Sequence, residues 1–204
     1  METRDKILSK AHELYFRYGI RSVTMDEIAG QCGVSKKTIY QFFEDKDSLV
    51  TAVIEDVISK NEDLCVSDIS KSLNPIHEIF LALDMMETLF STMNSTIFFD
   101  LQKYHSKAFK ILEEHKKKFI FNTIKTNLES GVKLGLYREE IRVEIIAIMR
   151  LEMCFLPFDP EIYSKTKYSF YEVQQELIEH FLYGVASPKG QKLIQQYKQE
   201  RLKN

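Results

Sequence analysis

Apolar residues recur every three or four positions along most of the chain, the spacing of helices with one buried face. Ile7, Leu8, Ala11, Leu14, Tyr15 and Tyr18 predict a first helix over Thr3–Tyr18, and Gly19 is a natural stop. Thr24 and Glu27 form a capping box that opens a short second helix, ending near Cys32-Gly33. Ser35 caps a third short helix, from Lys36 to about Phe43. Two short helices joined by the tight Gly33-Val34-Ser35 turn read as a helix-turn-helix. A fourth helix begins near Lys46 or Asp47 and carries the stripe Leu49, Val50, Val53, Ile54, Val57, Ile58 and Leu64 to about residue 70. Asn74-Pro75 starts a fifth, reaching about Met93. A short sixth covers Ser95–Tyr104, and a long seventh covers Ser106–Leu134. The segment Ile141–Ile145 alternates like a strand, but the apolar run from Val143 to Leu156 outlasts an average strand and predicts a helix buried on most sides. An amphipathic helix over Ser169–Ala186 and a basic last helix capped by Ser187-Pro188 complete an all-α chain.

Composition sharpens this picture. The 204 residues include 7 Gly and 4 Pro, and between Gly33 and Gly131 only Pro75 interrupts. A β-sandwich or barrel needs turn residues far more often than that. Cys32, Cys65 and Cys154 make neither a disulfide framework nor a zinc site, and suit a reducing cytoplasm. The charged opening Met1–Asp5 does not read as a signal peptide, and no apolar run approaches the roughly 20 residues of a membrane span. The five histidines share no ligand spacing, and no nucleophile elbow, HExxH or Gly-rich phosphate loop occurs. No metal, no cofactor and no enzymatic activity are therefore expected. The net charge of −2 supplies no overall electrostatic footprint for nucleic acid. Residues 1–50 are themselves neutral, with eight Lys or Arg against eight Asp or Glu.

The third helix nevertheless has the polarity of a recognition helix. Lys36, Lys37, Thr38 and Gln41 are polar, while Ile39 and Phe43, four apart, face inward. Lys37 suits guanine O6 or N7, and Gln41 suits a bidentate bond to adenine. Lys46 and Thr24 stand at helix starts, where backbone amides favour a phosphate. The run from Thr24 to Leu49, with its Gly-Val-Ser turn followed by Tyr40, Phe43, Lys46 and Leu49, resembles the DNA-binding domain of TetR-type (tetracycline-repressor-like) transcriptional regulators. The likeness is close over about the first 50 residues. Beyond them it extends to length and helical layout.

That resemblance implies a three-helix helix-turn-helix domain over residues 1–46, and a larger helical-bundle ligand-binding and dimerisation domain over 47–204. It turns Lys37, Thr38 and Gln41 toward bases, and Ser35, Lys36 and Tyr40 toward phosphates, with Lys46 and Thr24 similarly placed. Phe42 occupies a position often polar in the family, and here it is expected to pack. Structural readings stand beside these: Thr24 and Ser35 are N-caps with or without DNA, Lys36 and Lys37 suit a solvated surface, and Tyr40 suits a core.

In the larger domain, Met85, Met86, Phe90, Met93, Phe98, Phe99, Met149 and Met153 are the candidate lining of a pocket for a small apolar or amphipathic ligand. Leu151, Phe155, Val173, Leu177, Phe181 and Leu182 are the candidate dimer face. The function implied is repression of transcription by a homodimer on a pseudo-palindromic double-stranded operator, controlled by the ligand. A helix-turn-helix protein with a protein-binding second domain is the first alternative, and a helical enzyme the second.

Overall fold

The structure is a computed structural model that describes residues 2–91, 93–94, 96–159 and 168–201. Its helices are α1 (Thr3–Tyr18), α2 (Met25–Cys32), α3 (Lys36–Phe42), α4 (Lys46–Lys71), α5 (Pro75–Phe90), α6 (Ile97–Tyr104), α7 (Ser106–His115), α8 (Phe121–Lys133), α9 (Val143–Phe155), α10 (Phe170–Val185) and α11 (Pro188–Arg201). No strand occurs among the described residues, apart from one isolated bridge between Tyr137 and Ala186. The expected seventh helix is divided: a π-helical turn over Lys116–Ile120 separates α7 from α8. A single π turn inserts an extra residue without stopping the helix, so apolar spacing does not reveal it. The segment with strand-like alternation is helical from Val143.

The chain divides into two compact units: residues 1–61 with 92–115, and residues 62–91 with 116–204. This is not a division at residue 46. The first half of α4 and all of α6 and α7 pack with α1–α3. The first unit closes on Ile7, Ala11, Tyr15, Ile28, Ile39, Leu49, Val50 and Val53, with Ile97, Leu101 and Ala108 from α6 and α7. The π turn begins where the chain leaves this unit.

A buried carboxylate explains why α6 belongs there. Asp100 on α6 accepts from the Arg21 backbone amide at 3.1 Å, fixing the loop between α1 and α2. The Asn94 amide donates to the Phe16 carbonyl, the last turn of α1, at 2.6 Å. From the end of α6, His105 Nδ1 lies 2.7 Å from Asp47 Oδ1 in the first turn of α4.

The second unit packs α5, α8, α9, α10 and α11 around Ile76, Leu83, Leu128, Ala147, Ile178, Phe181, Leu182 and Ile194. Buried Asn127 and Tyr137 are paired, as burial demands. The Asn127 amide donates to the Pro75 carbonyl at 2.9 Å, and the Tyr137 hydroxyl donates to Asn127 Oδ1 at 3.0 Å.

Candidate nucleic-acid interface

The interface candidate is built from α2, the turn and α3. Gly33 ends α2 with φ +64°, a left-handed conformation that costs a glycine nothing. Its amide bonds the Gly30 carbonyl, and the Val34 amide bonds the Ala29 carbonyl, so the α2 carbonyls are satisfied as the chain reverses. Ser35 then caps α3 by accepting from the Thr38 amide at 3.0 Å.

That geometry sorts the side chains of α3 by face. Ile39 and Phe43 are buried in the core of the first unit, and Arg4 lies over the Phe43 ring at 5.4 Å. Ser35, Lys36, Lys37 and Gln41 are exposed, Tyr40 is 45% exposed, and Thr38 is half-buried beside the Ser35 hydroxyl. Lys37 makes no hydrogen bond or ion pair with any described residue. Tyr40 is therefore a surface residue and not a core tyrosine. Phe42 is exposed as well, so its expected packing does not occur: Phe43, one residue on, takes the inward position.

Besides Ser35 and Thr38, which bond each other, three more of the candidate contacts already have partners. Lys36 Nζ pairs with Asp26 Oδ2 at 2.7 Å, which holds α3 to α2 and raises the Lys36 pKa. The Thr24 hydroxyl accepts from the Glu27 amide and donates to the Glu27 carboxylate at 2.9 Å. Bonds from the Thr24 amide and hydroxyl hold the Glu27 carboxyl below its ordinary range. Lys46 departs furthest from its expected place. Its half-buried Nζ donates to the Ile20 and Val23 carbonyls, both at 2.6 Å, and lies 5.9 Å from the centre of the Tyr15 ring. Burial lowers its pKa, and Asp100 and Glu27 oppose that shift. Two of its three ammonium hydrogens thus close the α1–α2 loop and are not free for a phosphate.

The sequence contains no local sign of this loop closure, because Asp100 meets Arg21 across 79 positions. Cys32 is a small buried residue, its thiol raised by burial.

The candidate ligand residues do not gather in one unit. Met93, Phe98 and Phe99 lie in the first, whereas Met85, Met86, Phe90, Met149 and Met153 lie in the second. Phe99 is exposed beneath Lys103, and Met149 is exposed on α9, so neither is enclosed by its own unit. Phe90 packs against Phe158 and Phe170 with ring centres about 5 Å apart. A cleft of about 670 Å³ does occur in the second unit, lined by Phe80, Leu83, Asp84, Tyr171, Ile178 and Arg201 among others, and by none of the candidates.

The candidate dimer residues need correction for a different reason. Leu151, Val173, Phe181 and Leu182 are buried within the chain, and Phe155 and Leu177 are half-buried. A side chain already spent on its own core has no surface left for a partner. The exposed apolar positions of α9 are Ile145 at 53%, Ile148 at 54% and Met149 at 44%. The helix is not buried on most sides: it is apolar all round because one face fills the core and another is bare.

Comparison with known proteins agrees with the geometry of the first unit. Residues 7–53 match the model of the bacterial regulatory proteins of the tetR family. The HTH-type transcriptional regulator YvaF of Bacillus subtilis is 25% identical over 192 residues, covering 89% of this chain and 95% of its own. A transcriptional regulator of Saccharomonospora viridis in complex with choline superposes with a TM-score of 0.76 at 16% identity, over 90% of this chain and 97% of that one. FadR of Bacillus subtilis in complex with stearoyl-CoA gives 0.66 at 16% identity, over 87% and 96%. No described helix is long and apolar enough to cross a membrane. The matched helix-turn-helix over residues 7–53 and the all-helical fold agree: the chain carries a helix-turn-helix similar to that of the tetR-family bacterial regulatory proteins and resembles HTH-type transcriptional regulators along most of its length.

Proposed function

We propose that the chain is a cytoplasmic homodimeric repressor whose grip on a pseudo-palindromic operator is released by a small molecule bound within residues 47–204. The observation that carries the DNA reading is the face of α3: Lys37, Tyr40 and Gln41 exposed on one side, Ile39 and Phe43 buried on the other. Lys37 and Gln41, with Thr38, read base edges, while Tyr40, Ser35 and Lys36 meet phosphates. Lys36 would first exchange Asp26 for a phosphate. Thr24 and Lys46 serve chiefly as the cap of α2 and the tie of the α1–α2 loop.

Two recognition helices reach successive major grooves only from a two-fold dimer with half-sites about 34–36 Å apart. The bare stripe Ile145, Ile148 and Met149 is the face proposed to meet a second copy, in place of the buried residues inferred from sequence. Ligand control is supported by two relatives of the same fold, whose structures contain choline and stearoyl-CoA. α4 contributes residues to both units, and so is the element through which a coupling of about 1–3 kcal/mol would pass.

Footprinting the purified protein on DNA flanking its own gene, at several salt concentrations, tests this reading. Two protected half-sites related by a two-fold, about one helical turn apart, are expected. Because residues 1–50 are neutral, protection of unrelated DNA should be weak.

A further inference from the structure

One buried cation of the second unit has no ion-pair partner among the described residues. Arg150, on the inward side of α9, is only 5% exposed. It makes no hydrogen bond or ion pair with any described residue, and its buried Nη1 has no partner. Its one neighbour of note is the Phe181 ring of α10, 5.3 Å from the guanidinium carbon. Removing a guanidinium from water is costly, and a ring face recovers only a small part of that cost. Natural proteins pair such a group or hold it for a ligand.

No described carboxylate is hydrogen-bonded or ion-paired to Arg150. Arg150 and Glu78 both act electrostatically on buried Tyr137, yet Glu78 makes no bond to Arg150. Burial instead raises the Glu78 carboxyl toward its neutral form, and Asn127 opposes that.

A second orphan stands on the same pair of helices. Gln174 of α10 is fully buried, and its Nε2 donates to the Cys154 carbonyl at 2.7 Å. Its Oε1 has no partner. Cys154 is one turn beyond Arg150 on α9, and Phe181 is two turns beyond Gln174 on α10, so both unsatisfied groups lie on the faces through which these two helices meet. One is a charged donor and the other a neutral acceptor, with an aromatic ring beside the first.

From this arrangement we infer that Arg150 and Gln174 form the polar end of an organic-anion site, taking a carboxylate on Arg150 and a hydroxyl or N–H donor on Gln174. Phe181 offers its face to the body of the ligand. A second copy of the chain is not the occupant, because Nη1 lies beneath the surface and a partner's side chain would not reach it. This inference rests on the reading of the second unit as ligand-binding, and it specifies the ligand's chemistry.

4-Hydroxybenzoate carries a carboxylate and a hydroxyl on one rigid ring and serves as the probe, with benzoate and 4-hydroxybenzyl alcohol as controls. Calorimetric titration of the full-length protein should show 4-hydroxybenzoate binding. Benzoate should bind about tenfold more weakly, for want of one hydrogen bond. The alcohol should not bind measurably. At about 100 times its Kd, the acid should raise Tm on the order of 5–10 °C. Arg150→Met should abolish this response and, without ligand, melt above the wild type, because an unpaired buried charge has been removed. Arg150→Lys should bind at least tenfold more weakly. Failure of both acids to bind, equal binding of acid and alcohol, a full response in Arg150→Met, or a lower Tm for ligand-free Arg150→Met would each overturn the site. Operator titrations separate this from the broader reading. If the alcohol alone binds and releases operator, ligand control stands and the anion site fails. If the acid binds through Arg150 without changing operator affinity, the anion site stands and ligand control fails.

Discussion

The Lys46 ammonium donates to the Ile20 carbonyl at 2.6 Å, tying the first turn of α4 to the loop between α1 and α2. A second bond of the same length reaches Val23. Hydrogen bonds from a charged donor contribute about 1.5–3 kcal/mol each, so losing the pair should cost about 2–4 kcal/mol after the freed carbonyls meet water. Lys46→Met should therefore lower Tm on the order of 5–10 °C. An unchanged Tm with weakened binding to all DNA would return Lys46 to a phosphate role.

The proposed dimer face makes a contrast between neighbours on one helix. Ile148 is half exposed and Leu151 is in the core. A charge at the centre of an apolar interface typically costs about 2 kcal/mol or more of binding energy. Ile148→Asp should give a folded monomer in sedimentation, while Leu151→Asp should lower stability whatever the assembly state. A dimer unaffected by Ile148→Asp would place the interface elsewhere.

Burial, with help from Lys60, pushes the His12 pKa below its ordinary 6.5, and Asp56 opposes the shift. The imidazole packs edge-on to Phe16 with ring centres 4.3 Å apart. The unfolded chain thus binds this proton more readily than the folded one. Stability from His12 is complete above about pH 6.5 and is lost as pH falls through the lower folded value. Thermal melts from pH 7.5 to 5 should show the wild type losing more stability than His12→Gln. Parallel pH profiles would mean that His12 titrates alike in both states.

Gly190 approaches the chain too closely for any other residue. A Cβ there would lie 2.1 Å from the Leu136 carbonyl oxygen, which is backbone and unable to rotate away. Gly190→Ala should cost about 1–3 kcal/mol by overpacking, although alanine is the better helix former. A neutral or stabilised variant would show that α11 shifts freely.

These residues also show which features short-range spacing can reveal. The α2 capping box, the Gly33 turn and the Ser35 cap are contacts within about four positions, so residue order displays them, and the recognition face follows from them. The Lys46 tie, the Asp100–Arg21 bond and the membership of α6 in the DNA-binding unit span 23 to 79 positions, with no periodicity to mark them. Four of the six dimer candidates, Leu151, Val173, Phe181 and Leu182, are covered by their own chain for a different reason. Periodicity identifies apolar positions on α9, but not which of them the same chain has already covered. Arg150 lay hidden for a related reason: a lone arginine in an apolar helix looks like a surface residue until its burial is known.

The central claim is that α3 reads a specific DNA sequence. Its most direct test is the affinity of the wild type for the footprinted operator and for a scrambled duplex, across a range of salt, compared with Lys37→Ala. The account predicts that wild type prefers operator by at least about 10³-fold. It also predicts that Lys37→Ala loses about 1–3 kcal/mol on operator, with relaxed preference at one base pair per half-site. Equal affinity of the wild type for operator and scrambled DNA, or equal loss on both duplexes in Lys37→Ala, would contradict it.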